Sequence, residues 1–189
     1  MTTHQTTEPW ILTFTGKRFF PLAPREEDID ILDIAHSLSM QCRFTGHTTA
    51  FYSVAEHSFR ISHLVEGQLV DSHLALWGLL HDAAEAYLSD MSTPLKHGTG
   101  MGVQYQMYEK KLLAAICQKF GLSTEEPEQV KAADLTLLVT EKRDLMTNNL
   151  SHPDWGIVAT PLRDRIEPMS PYRAKLAFLD RFEQIKARG

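Results

Sequence analysis

The stretch DSHLALWGLLHDAAEAYL, residues 71–88, decides the fold class. Asp71-Ser72 is a pair that opens helices. Leu74, Trp77, Leu80 and Ala84 then follow at helical intervals, so the stretch predicts a helix to about Leu88 with one face in a core. Its apolar run ends on His81-Asp82, with Glu85 following on the same helical face. An imidazole and a carboxylate at the edge of a core need a partner, and a divalent cation satisfies both. Read alone, the dipeptide is a weak signal, and a solvated helix end is the readier reading.

Working outward, the company of the pair changes its meaning. Upstream, Ser53-Val54-Ala55-Glu56 has the form of a capping box and predicts a helix from Val54 to about Glu66, with His57 inside it. Downstream, a helix over about 103–120 is closed by Gly121, and another runs from about Glu126 to Asn149. Asp134 falls in the middle of the latter, ahead of a strongly apolar run. Aspartate is a poor interior helix residue, and an unpaired carboxylate there is costly. One metal ion shared by three helices accounts for all of these placements.

The ends of the chain complete the organisation. Residues 10–22, WILTFTGKRFFPL, predict a short β-hairpin around Thr15-Gly16-Lys17. A helix follows with Asp30 as its cap and Ile31, Ile34, Ala35 and Leu38 on its core face, and residues 42–52 form a loop. Residues 151–169 carry three prolines, at 153, 161 and 168, and predict an extended arm. Ser170-Pro171 opens a last helix to about Lys186. The expectation is a single all-α domain, residues 1–189, with a β-hairpin at its front.

Composition bounds the partners. A net charge of −5 argues against non-specific binding to a nucleic acid polymer. No apolar window is long enough to span a membrane, and MTTHQTTEPW has no signal-peptide pattern. The two cysteines, Cys42 and Cys117, have no paired spacing, which suits a reducing compartment and makes the cytoplasm the expected location. His63 falls off the helical face of His57, and His36, His47, His73, His97 and His152 are expected outside the ligand set.

His57 in VAEHS, His81-Asp82 in LLHDAAE and Asp134 in KAAD, in that order, resemble the HD-domain phosphohydrolases over roughly residues 43–140. The resemblance implies an HD-domain helical bundle with those four residues as ligands of one metal ion. It is closer to the bacterial 5′-deoxyribonucleotidases and the phage-type deoxynucleoside triphosphohydrolases. The similar elements there are Arg43-Phe44, Glu85, the loop Asp90-Met91-Ser92-Thr93-Pro94-Leu95-Lys96, and Lys131 three residues before Asp134. The bacterial nucleotidases carry tryptophan where Phe44 stands. The resemblance implies Glu85 and Asp90 as catalytic residues, and Arg43, Phe44, Pro94, Lys96 and Lys131 as substrate contacts. A homo-oligomer is implied in the same way.

Mixed histidine and aspartate donors suit Mn, Co, Fe, Ni or Zn better than Mg. Such a site polarises a phosphoryl group and activates water for attack on it. The expected reaction is hydrolysis of a 5′-deoxynucleoside monophosphate to nucleoside and phosphate. Two alternatives stay open: a triphosphohydrolase releasing triphosphate from a dNTP, and a nucleotide-binding regulator without turnover.

Overall fold

Side-chain caps start helices where the sequence expects them at Asp30, Asp71 and Ser170, while the one expected from about residue 103 begins earlier, behind Thr99. Asp30 accepts a hydrogen bond from the Leu32 N–H, Asp71 from His73 and Leu74, Thr99 from Gly102, and Ser170 from Arg173. The computed structural model describes residues 8–69, 71–147 and 155–188. Among them the helices are α1 (Ile31–Met40), α2 (Val54–Leu69), α3 (Ser72–Leu80), α4 (Glu85–Leu88), α5 (Thr93–Gly98), α6 (Gly100–Phe120), α7 (Glu128–Leu145) and α8 (Pro171–Lys186). No helix among the described residues is long and apolar enough to cross a membrane.

The hairpin is short and antiparallel. β1 (Ile11–Leu12) pairs with β2 (Arg18–Phe19) in the register Ile11 to Phe19, with Gly16 at φ 83° in the turn. It is tied to the bundle because Asp33 of α1 accepts from the Thr15 N–H at 2.7 Å and the Thr15 hydroxyl at 2.9 Å. Phe19 is fully buried and stacks on Tyr87 of α4 with centroids 3.8 Å apart.

Helix α2 is the axis of the bundle, packed against α1, α3, α7 and α8. Val54, Ala55, Ile61 and Val65 along it are fully buried. Gly78 allows α3 to come close, since a Cβ there would lie 3.2 Å from Cγ2 of both Ile61 and Val65. Half of the expected capping box forms. The Ser53 hydroxyl accepts from the Glu56 N–H at 3.1 Å, whereas the Glu56 carboxylate takes Arg60 and the Met169 N–H instead.

The structure corrects three further boundaries. The helix expected over 72–88 is interrupted after Leu80, and residues 81–84 form tighter turns before α4. His81 Nδ1 donates to the Gly78 carbonyl at 2.8 Å, the acceptor that an uninterrupted helix would give to the Asp82 N–H. Backbone bonds three residues apart follow, from Ala83 to Leu80 and from Glu85 to Asp82. The loop expected over Asp90 to Lys96 gives way to the short helix α5 from Thr93 to Gly98, with Pro94 in its first turn. Helix α7 ends at Leu145, short of the expected Asn149, which lies outside the described residues.

Residues 155–169 form the extended arm, and the expected stretch 151–154 lies outside the described residues. The arm runs along α7 and reaches α2. The Leu162 N–H donates to Thr140, Ile166 to Asp144 and Met169 to Glu56, at 2.9, 2.9 and 2.7 Å.

Candidate metal centre

His57 stands in the second turn of α2 and is fully buried, so both of its ring nitrogens need partners. Its Nδ1 is 2.6 Å from Glu141 Oε1. Burial pushes the Glu141 carboxyl up, but Arg43 and His57 outweigh that and hold it below the ordinary carboxylate value. Glu141 is therefore an acceptor, and His57 Nδ1–H donates to it. His81 is fixed in the same sense, because its Nδ1 can only donate to the Gly78 carbonyl.

Both Nε2 atoms are thereby turned inward, 3.3 Å apart. Asp82 Oδ2 lies 3.3 Å from His81 Nε2 and 3.8 Å from His57 Nε2. Asp134 Oδ1 approaches His57 Nε2 at 3.1 Å. Donor atoms of His57, His81 and Asp82 all lie within 4.8 Å of one another, and Asp134 joins from the His57 side. Two imidazole lone pairs cannot face each other at this distance without positive charge between them. Protons on the two rings, donated to Asp134 and Asp82, or a metal ion among these groups would supply that charge.

The protonation behaviour reflects that demand. Burial pushes His81 down, but the Asp82 carboxylate carries it up to about 9. Burial likewise opposes ionisation of Asp82, and His81 overrides it to hold that carboxyl well below the usual range. The cluster thus attracts a cation, and nitrogen and oxygen donors without thiolates fit a divalent transition ion. Glu141 and the Gly78 carbonyl do what outer partners of metal-bound histidines do, fixing tautomer and ring orientation.

Arg43 bridges the cluster to its surroundings. Its Nη1 lies 3.4 Å from Asp82 Oδ2 and its Nη2 3.3 Å from Glu141 Oε2. Phe44 follows in a turn where Phe44 and Thr45 adopt left-handed φ values of 54° and 55°. Such a backbone is costly for a bulky residue and is concentrated at functional sites.

Glu85 opens α4 and is buried, and its Oε2 has no hydrogen-bond partner among the described residues. Burial first, and then the Asp82 and Asp90 carboxylates, push Glu85 well above the ordinary value. Asp90 is raised as well, chiefly by burial, and its N–H donates to the Gln41 side chain at 3.0 Å.

The two lysines differ in placement. Lys96 is partly buried and donates to Glu109 of α6 at 2.8 Å, with the Glu85 and Asp82 charges also acting on it. Lys131 points elsewhere, donating to Glu128 at 2.7 Å in an exposed pair, 46% exposed on the lysine side. Pro94 is exposed in α5.

Reading the sequence missed Glu141 and Glu109. Glu141 stands seven residues after Asp134, two turns along the same face of α7, and that spacing was its available signal. Glu109 had none, since its pairing with Lys96 depends on how α5 and α6 fold together. His36 stacks on Phe14 at 3.8 Å, apart from the cluster, and His73 and His97 are not buried.

No protein-family profile matches the chain. It is 41% identical over 180 residues to the uncharacterized protein YfdR of Escherichia coli (strain K12), covering 93% of this chain and 95% of that protein. It is also 39% identical over 128 residues to an uncharacterized protein of Rhodobacter capsulatus, covering 66% of this chain and 64% of that one.

Proposed function

The chain belongs to the same family as Escherichia coli YfdR, and we propose that it is an HD-domain phosphohydrolase that releases phosphate from 5′-deoxynucleoside monophosphates. The observation that carries this reading is the pair of inward-facing Nε2 atoms of His57 and His81, 3.3 Å apart, flanked by the carboxylates of Asp82 and Asp134. These four residues would hold one divalent transition-metal ion, with Mn, Co, Fe, Ni or Zn suited to the donors and Mg less so. When bound, the ion supplies Lewis acidity toward a phosphoryl oxygen and lowers the pKa of a water molecule.

The protein groups around that centre divide the remaining work. Arg43 places a fixed positive charge beside Asp82, suited to a phosphate, and Lys96 adds another at longer range. Glu85 retains its proton above the ordinary carboxylate range. It gives that proton to the 5′ oxygen as the phosphorus–oxygen bond breaks, which is general acid catalysis. Asp90 helps to keep Glu85 protonated. Lys131, paired with Glu128 at the surface, is left out of this step.

The test is to incubate the metal-loaded protein with deoxynucleoside monophosphates, triphosphates and their ribose counterparts, and to assay phosphate and triphosphate. Phosphate is expected from the deoxynucleoside monophosphates. Triphosphate release alone would transfer the site to the other hydrolytic chemistry. No release from any nucleotide would leave a binding protein and end the hydrolase reading.

A further inference from the structure

Beyond the charged cluster stand two aromatic rings from parts of the chain that are far apart in sequence. Phe44 comes from the left-handed turn after Arg43, and Trp155 from the start of the extended arm. Their centroids are 6.1 Å apart and their planes 34° from parallel. Neither ring belongs to the core: Phe44 is partly exposed and Trp155 is 44% exposed. Each is accompanied by a cation, Arg43 at 5.2 Å from the Phe44 centroid and Lys142 at 4.9 Å from that of Trp155.

The order of these groups in space is informative. Asp82 lies 3.4 Å from the Arg43 guanidinium, the guanidinium lies against Phe44, and Phe44 lies against Trp155. The guanidinium beside Asp82 thus adjoins a partly exposed aromatic pair. A nucleotide has the same order, an anionic phosphate at one end and a flat π-system at the other. Stacking on aromatic side chains tolerates any base, because every base has a π-face.

We propose that Phe44 and Trp155 form the subsite that takes the nucleobase, which makes the arm a specificity element of the enzyme. The proposal rests on the phosphohydrolase reading of the cluster. It assigns the preference for a base-bearing nucleotide over a base-free sugar phosphate to Trp155, a residue outside the helical bundle.

The experiment has two readouts. In the first, kcat/KM is measured for deoxynucleoside monophosphates and for 2-deoxyribose 5-phosphate in wild type, Trp155→Ala and Trp155→Phe. The ratio of nucleotide to sugar phosphate should fall about tenfold in Trp155→Ala and be largely restored in Trp155→Phe. An unchanged ratio alongside normal turnover would overturn the subsite and leave the hydrolase reading standing. In the second, tryptophan fluorescence is titrated with deoxyadenosine, which needs neither phosphate nor turnover. Quenching is expected in wild type and not in Trp155→Phe. Quenching lost in Trp155→Phe together with no hydrolysis of any ester would retain the subsite and end the hydrolase reading. Quenching absent from wild type, or persisting in Trp155→Phe, would overturn the subsite.

Discussion

Glu141 touches the cluster through two neighbours, His57 at Nδ1 and the Arg43 guanidinium that also reaches Asp82. Its carboxylate fixes the His57 Nδ1–H and so aims the Nε2 lone pair at the position shared with His81. Glu141→Gln keeps every metal donor but can present an amide N–H to Nδ1, which favours the wrong tautomer. Metal affinity should fall about 10- to 100-fold, as measured by competition with a chelating dye. Full affinity in the variant would mean that His57 is oriented by other contacts. Glu85 should give the opposite signature, because it stands outside the set of candidate donors His57, His81, Asp82 and Asp134. Glu85→Gln should keep its metal by elemental analysis while kcat drops about 10²- to 10⁴-fold. An active variant would remove Glu85 from the mechanism.

At the scale of elements, the site depends on how closely α3 lies on α2. Gly78 permits that approach and also offers the carbonyl that fixes His81. In Gly78→Ala the new methyl would press on Ile61, Val65 and the Ser62 backbone, whose Cα would lie 3.3 Å away. The cost should be about 1–3 kcal/mol in chemical denaturation. Metal affinity should weaken in the same variant, because His57 and His81 stand on the two helices being pushed apart. Loss of stability with undiminished affinity would show that the turn at 81–84 absorbs the displacement.

At the scale of the molecule, the C-terminal part of the arm is tied down by two carboxylates whose side chains are shielded from solvent. Asp144, 2% exposed, accepts from the Ile166 N–H and pairs with Arg143 and Arg165. Glu56 accepts from the Met169 N–H in the same way. Asp144→Ala should cost about 2 kcal/mol and raise hydrogen exchange at Ile166 and its neighbours while the bundle stays protected. Unchanged exchange over 155–169 would show that packing of Leu162 and Ile166, rather than Asp144, holds the arm.

Much of this was legible from residue order alone. Caps at Asp30, Ser53, Asp71 and Ser170, the Gly121 stop and the 3.6-residue apolar period reflect local rules, and local rules act within one turn of chain. For the same reason His57, His81, Asp82 and Asp134 could be singled out as candidate donors, since each is a polar residue set against an apolar helix face. Other features turn on which of several possible partners a polar side chain takes, near or far along the chain. The interruption at 81–84 follows from the His81 side chain competing for a backbone carbonyl. Lys131 turns to Glu128, Lys96 to Glu109, and Glu141 to a histidine 84 residues away. The meeting of Phe44 with Trp155 likewise required the arm to fold back along α7. Residue order alone specifies most of the helices and marks the residues whose chemistry suits a cation. Which of those residues converge depends on how the helices pack, because a side chain pairs with whatever group lies near it in space.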